Sequence, residues 1–234
     1  MVEEAERTER MRSRETHSAE HGKYRAAVFD LDGVIVDTAK YHYLAWKRLA
    51  NELGFDFTER DNERLKGVSR MRSLEILLEM GGLDLDREEK TALAEKKNNW
   101  YVEYIREMDE SELLPGAREC LLRLGEKGVK IALGSASKNA PTIIRGLNIV
   151  DLFDAVIDGN KTSKAKPDPE VFLLAAQELG VDPAECVVFE DAEAGLQAAR
   201  AAGMYAIGVG DPGVLKSAHD IVAGLYALNV EGLF

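Results

Sequence analysis

Cys120 and Cys186 are the only two cysteines in the 234-residue chain, and neither stands in a CxxC pair or near ligand-spaced histidines. That scarcity excludes a disulfide framework and a zinc site of the usual spacing, so both thiols read as reduced, partly buried small side chains. Long hydrophobic runs are also missing: wholly apolar stretches last only a few residues, far short of the roughly 20 that span a bilayer. The opening segment MVEEAERTERMRSRETHSAEHG has no hydrophobic signal core, so the expected location is the cytoplasm, with no membrane segment. Positive charge is in deficit, with 42 acidic against 30 basic side chains and a net charge of −12. Such a surface excludes function by broad contact with nucleic-acid phosphates or anionic lipid, but leaves a small anionic ligand open. No internal repeat or low-complexity segment appears.

What is there can build a core: 45% of residues are apolar and 31% charged, the balance of a soluble globular protein. The length corresponds to roughly one and a half domains. Residues 1–22 hold acids and arginines with almost nothing to bury, and Glu3 with Arg7 and Glu6 with Arg10 support at most transient helix. They are expected to form a flexible extension, His17 and His21 included. From Tyr24 the pattern changes. RAAVFDLDG, KIALGSAS, ECVVFEDA and YAIGVG are short apolar runs that end in polar or glycine residues, as buried parallel strands do, and AVIDG is a weaker candidate. Helical stretches lie between them. Asp182, Pro183 and Glu185 are ordered as cap, first-turn proline and third-position acid. Alternating strands and helices predict an α/β fold with a Rossmann-like parallel sheet. From Thr38 to Glu112 no strand candidate appears, and Leu74, Leu77, Leu78, Trp100, Tyr101, Tyr104 and Ile105 recur at helical spacing. Residues 38–112 therefore read as a helical cap inserted into a core of residues 23–37 and 113–234, with Pro115 and Gly116 marking the return.

Asp30 and Asp32 stand two residues apart at the mouth of the first strand, where positions i and i+2 share a side. A solvated turn explains them equally well in isolation. Three further strand ends carry complementary groups, however: Ser135 and Ser137, Lys166, and the pair Glu190 and Asp191. In open parallel sheets these ends converge on one crevice. Several carboxylates there repel one another without a cation, and an all-oxygen set suits Mg²⁺. Lys166 and the Ser135 hydroxyl supply a charge and a hydrogen-bond donor for a phosphoryl group, so the parts fit phosphoryl transfer to an aspartate nucleophile.

In that order and spacing DLDGVIVDT, the serine-ended second strand, KAKPDPE and FEDAEAG resemble the four motifs of the haloacid-dehalogenase-like phosphotransferases, over residues 24–210. DTAKYHYLAWKRLA, LKGVSR, KKN and SASKNAP resemble the branch of that family that interconverts β-glucose 1-phosphate and glucose 6-phosphate. The resemblance implies that Asp30 is the nucleophile and Asp32 the general acid/base. Asp30, the Asp32 main-chain carbonyl, Glu190 and Asp191 would surround Mg²⁺, and Ser135 and Lys166 would contact the transferring phosphoryl group. Arg70 would grip the other phosphate of a glucose 1,6-bisphosphate intermediate, aided from the core by Ser137, Lys138 and Asn139. His42 and Lys97 would lie near the sugar, with Thr38 and Asp37 at the hinge. Trp46 is placed near the ligand by the same resemblance, although a tryptophan on a helix is more often core packing.

A sugar-phosphate phosphatase shares these motifs and differs in admitting water. A catalytically silent phosphosugar-binding regulator is a further alternative, against which stands the intact catalytic set. The implied partner is a small sugar phosphate, bound by a monomer. Gly208, Gly210 and Gly213 fit a dinucleotide fingerprint formally, but the acid it needs would fall at the end of the chain. A strand-end turn before a helix started by Pro212 is the expectation there. Asn160 opens a glycosylation sequon that matters only in a secreted protein, and His219 reads as solvated.

Overall fold

A computed structural model describes residues 22–65 and 69–234. The expectations for residues 1–21, and for Lys66, Gly67 and Val68 of the LKGVSR motif, lie outside the described residues. In chain order the elements are β1 (Ala26–Phe29), α1 (Ala39–Glu52), α2 (Glu59–Asn62), α3 (Arg70–Gly81), α4 (Arg87–Arg106) and α5 (Ala117–Glu126). There follow β2 (Lys130–Gly134), α6 (Ala140–Gly146), β3 (Ala155–Ile157), α7 (Glu170–Leu179), β4 (Cys186–Glu190), α8 (Glu193–Ala201), β5 (Tyr205–Val209) and β6 (Asp220–Val222). The strands form one sheet in the order β3-β2-β1-β4-β5-β6, and every pairing is parallel. That order reverses direction between β1 and β4, where a doubly wound sheet opens its crevice.

The strands are apolar throughout because both faces are covered. Ala27 and Phe29 of β1 join the cluster that contains Leu121 and Leu124 of α5 and Ile143 of α6. Ala26 and Val28 face the opposite cluster, with Phe172 of α7 and Leu196 of α8. At the carboxyl edge Phe29 stacks on Phe189 of β4, ring centroids 4.7 Å apart. These rings floor the region where the polar residues begin.

Between β1 and α5 the described chain contains helices and two 3₁₀ turns, and no strand. Capping boxes start α2 (Thr58 with Asp61) and α4 (Asp86 with Glu89), and Gly82 at φ 65° stops α3. Trp46 and Leu49 of α1, Leu74, Leu77 and Leu78 of α3, and Tyr101 and Ile105 of α4 face inward. Their core runs on into the α5 side of the sheet. No described helix is long and apolar enough to cross a membrane. Both cysteines are buried and free.

Three local expectations are corrected. AVIDG does form β3, but a sixth strand, β6, goes unread in the sequence: it has three residues, none fully buried, and an edge position leaves no continuous apolar run. Pro212 starts no helix. Asp211 accepts the amides of Val214 and Leu215, and its side chain accepts that of Gly213 at 2.7 Å, so one turn forms. The chain then leaves it, because Leu215 is buried and Glu193 captures the Ser217 amide at 3.0 Å. Asp182 does cap, accepting from the Ala184 amide at 2.9 Å, but it opens a single 3₁₀ turn that ends where β4 begins. His219 is exposed, yet its ring is engaged, accepting the Ala206 amide at 2.9 Å and stacking on Tyr205.

Replacing Phe189 by Ala is expected to cost about 3–5 kcal/mol of stability, the usual range for deleting a fully buried ring. Urea unfolding followed by circular dichroism measures it, and a loss under about 1 kcal/mol would mean the crevice floor is not packed as described.

Candidate active site

The parallel register puts the strand ends level. Phe29 is paired with Leu133 on one side and Phe189 on the other, so Asp30 stands beside Glu190 and close to Ser135. The Asp30 amide donates to the Phe189 carbonyl at 2.9 Å and the Ser135 amide to that of Ile157 at 2.9 Å, fixing both residues at the sheet edge. Carboxylate oxygens of Asp30, Glu190 and Asp191 lie within 4.8 Å of one another.

Two glycines make room for that group. A Cβ on Gly33, which sits at φ 78°, would lie 1.9 Å from Asp191 Oδ2, and one on Gly195 would lie 2.0 Å from Glu190 Cδ. Lys166 Nζ donates to Asp30 Oδ1 at 2.5 Å and to Glu190 Oε2 at 2.7 Å, over the Phe172 ring. Burial lowers the Lys166 pKa, but the two carboxylates outweigh it and hold the ammonium above its ordinary range. Burial and the Asp30 charge push Glu190 and Asp191 up. Three carboxylates against one ammonium leave an excess of negative charge, and the donor set is all oxygen. Both properties fit Mg²⁺.

The Asp32 side chain does not join this group. It accepts a short hydrogen bond from the hydroxyl of Thr38, which is buried. Burial and the neighbouring Asp30 charge push the Asp32 carboxyl up to about 7. The two ends of the helical insertion meet beside it. The Leu114 amide donates to the Ile35 carbonyl at 2.9 Å, and Glu112 accepts the Tyr41 hydroxyl at 2.6 Å while pairing with Lys40 at 2.5 Å.

A second cluster lies on the insertion. The Lys97 ammonium is buried, 2.8 Å from His42 Nδ1 and over the rings of Trp46 and Tyr101. Burial and then Arg70 push Lys97 down to about 7. Burial, Lys97 and Arg70 likewise push His42 well below its ordinary value, so its ring is neutral. Arg70 opens α3 and is exposed, and no described residue bonds its guanidinium. Trp46 is 3% exposed, a support beneath Lys97 rather than an open face.

The loop after β2 joins the two clusters. Ser135 Oγ accepts the Ser137 amide, Ser137 Oγ accepts the Asn139 amide, and the Asn139 amide group reaches Asn98 Oδ1 of α4 at 3.3 Å. The Lys138 side chain is exposed, while its carbonyl accepts from Asn160, whose other contact is buried Asp158. Asn98, Glu112 and Tyr101 are the site neighbours that the sequence reading missed as polar groups. Asn98 is signalled only by its place next to Lys97.

Comparison with known proteins places these parts in context. The pattern of the haloacid dehalogenase-like hydrolases matches residues 24–203. The chain is 45% identical over 209 residues to β-phosphoglucomutase of Bacillus subtilis, covering 88% of this chain and 92% of that protein. It is 36% identical over 189 residues to a fructose-1-phosphate phosphatase of Escherichia coli, covering 80% and 97%. A crystal structure of β-phosphoglucomutase from Clostridium difficile superposes with a TM-score of 0.81 at 44% identity, over 89% of this chain and 94% of that one. On matches of this extent, the chain belongs to the haloacid dehalogenase-like hydrolase family.

Proposed function

We propose that the protein is a β-phosphoglucomutase, an isomerase that interconverts β-glucose 1-phosphate and glucose 6-phosphate through an aspartyl phosphate and β-glucose 1,6-bisphosphate. The observation that carries this reading is that cationic side chains stand at two separate poles. Lys166 stands among carboxylates at the sheet edge, and Arg70 with Lys97 stands on the insertion with no carboxylate bonded to either. One pole suits a phosphoryl group in transfer, the other a phosphate that is only held. A sugar with a phosphate at each end fits such a site in either orientation, and a mutase requires both.

On this reading the free hydroxyl of β-glucose 1-phosphate attacks the phosphorus of phosphorylated Asp30 while Asp32 takes its proton, which frees the Asp30 carboxylate and forms the bisphosphate. After the bisphosphate turns, Asp30 attacks the other phosphorus as the sugar oxygen departs, and Asp32 gives that oxygen its proton, leaving glucose 6-phosphate and phosphorylated Asp30. Lys166 and the Ser135 hydroxyl hold the phosphoryl oxygens. Mg²⁺, held by Asp30, Glu190, Asp191 and the Asp32 carbonyl, would neutralise charge on the group in transfer. Arg70, with Ser137, Lys138 and Asn139 opposite, retains the distal phosphate. His42 and Lys97 line the sugar side, Trp46 supports Lys97, and Thr38 and Asp37 form the hinge. Residues 38–112 act as a cap over the core of residues 23–37 and 113–234, and closing it excludes water. All of these groups come from one chain, which we take to act as a monomer in the cytoplasm.

The resemblance to the fructose-1-phosphate phosphatase makes hydrolysis the rival reading. Purified protein is expected to convert β-glucose 1-phosphate, primed with bisphosphate and Mg²⁺, to glucose 6-phosphate, and to lose that turnover in EDTA and regain it with Mg²⁺. Free phosphate as the main product would make the protein a phosphatase. Arg70→Ala is expected to cut mutase turnover on the order of 100-fold, the scale for losing a charged anchor, while aspartyl-phosphate hydrolysis changes little. Equal losses in both assays would remove Arg70 from its role.

A proton balance provides an independent check. Free Lys97 sits at about 7, faced by His42 of α1, Arg70 of α3 and Tyr101 of its own helix. A bound phosphate raises that value toward the ordinary one, so above about pH 7 binding takes up a proton, and affinity falls as pH rises. Calorimetry of glucose 6-phosphate binding in buffers of different ionisation heat is expected to show this uptake, and Lys97→Met to abolish it. Undiminished uptake in the variant would contradict the assignment.

A further inference from the structure

The Tyr101 hydroxyl is the one buried side-chain polar atom among the described residues with no hydrogen-bond partner. Its ring is fixed, stacked on His42 at 4.1 Å between centroids with Lys97 4.9 Å from its centre. The hydroxyl faces Thr38, near enough to Asp32 for that carboxylate to act on it. Thr38 has one proton and gives it to Asp32. A buried, rigidly placed oxygen left without a partner, beside a pair that separates if Asp32 is the acid/base, calls for an explanation.

We propose that Tyr101 is a positioning residue that exchanges with Asp32 for the Thr38 hydroxyl: when Asp32 leaves Thr38 to meet the reacting sugar oxygen, Thr38 turns its proton to the Tyr101 oxygen. The inference rests on Asp32 being the acid/base. Thr38 is 1% exposed, so water cannot replace Asp32 as its acceptor. Without Tyr101 the departure of Asp32 would strand a buried donor, a cost carried in the transition state. With Tyr101 the Thr38 proton is paired before and after, with Asp32 in the first arrangement and with the tyrosine oxygen in the second. The phenol is suited to this because its oxygen both accepts and donates. His42 and Lys97 keep the ring from following Asp32.

The test compares two phosphoryl donors. When a sugar phosphate is the donor, the O–P bond to the sugar breaks, a bond from phosphorus to the Asp30 carboxylate forms, and the proton of Asp32 moves to the sugar oxygen. When acetyl phosphate is the donor, acetate leaves as an anion and needs no proton. Tyr101→Phe is expected to lower kcat with β-glucose 1-phosphate roughly tenfold with KM unchanged, and to leave the rate of Asp30 phosphorylation by acetyl phosphate unaltered. In a Thr38→Val background the same substitution is expected to have no further effect, since the exchange partner is already gone. A Tyr101→Phe protein with unaltered kcat would overturn the proposal. So would a loss shared by acetyl phosphate, or one that persists undiminished in Thr38→Val, since either marks a structural role. Phosphoryl release from the sugar is the quantity read, so the comparison holds whether a second hydroxyl or water takes the group. Failure of the mutase reading shows separately, as free phosphate from the unaltered protein.

Discussion

Three carboxylates share one ammonium at the carboxyl edge of the sheet, and the surroundings are arranged around that imbalance. Parallel register brings Asp30 level with Glu190, and Lys166 bridges both. The bridge does not reach Asp191 as well, so negative charge remains there that a bound cation would offset. The same crowding explains two glycines. Gly33 and Gly195 stand where any side chain would displace the carboxylates of Asp191 and Glu190. The edge is therefore built to keep like charges close, an arrangement that stability alone does not favour and that cation binding rewards.

The insertion carries the complementary problem. Lys97 and Arg70 are brought near each other without a bonded carboxylate, and the cost appears as the depressed pKa of Lys97 and the neutral state of His42. A chain with net charge −12 has acids to spare, and elsewhere on the insertion they pair with its cations, as Glu52 does with Lys96 and Glu75 with Arg72. Among the described residues no carboxylate bonds Lys97, as the mutase reading expects of a cation kept for an anion from outside. Excess negative charge at one pole and excess positive charge at the other give the crevice a polarity that the net charge conceals.

Much of this is legible in the order of residues, because strand ends in an open parallel sheet converge regardless of the loops between them. Asp30, Ser135, Lys166 and Glu190 each end or follow an apolar run, so the runs locate the site. What escapes depends on partners far apart in the chain or on very short elements. Glu112 meets Tyr41 across 71 positions of sequence, and neither residue is distinctive alone. Three-residue β6 has too few positions to show a period. Pro212 and Asp182 carry genuine local signals, and each is overridden after one turn, the first by the burial of Leu215 and the second by the start of β4. Tyr101 is counted correctly as core by its spacing, and that success hides its hydroxyl, since periodicity reports the ring and is blind to the oxygen.

The connection between the two poles lies in the linkers. The insertion leaves and rejoins the core through adjacent segments: Val36 bridges Leu113, Leu114 bonds Ile35, and Glu112 binds both Lys40 and Tyr41. Two linkers tied in this way join the insertion to the core as one strap, so on the mutase reading the cap would move on both linkers together. Asp32 and Thr38 occupy the inner side of that strap, Asp32 two residues from Asp30 and Thr38 at the start of α1. On that reading, a rotation that brought Arg70 and Lys97 toward a held phosphate would also change the distance between Thr38 and Asp32. On the mutase reading, the group that handles the proton would then be set by the same motion that secures the far end of the sugar, and water arriving without a second phosphate would meet an Asp32 still bound to Thr38.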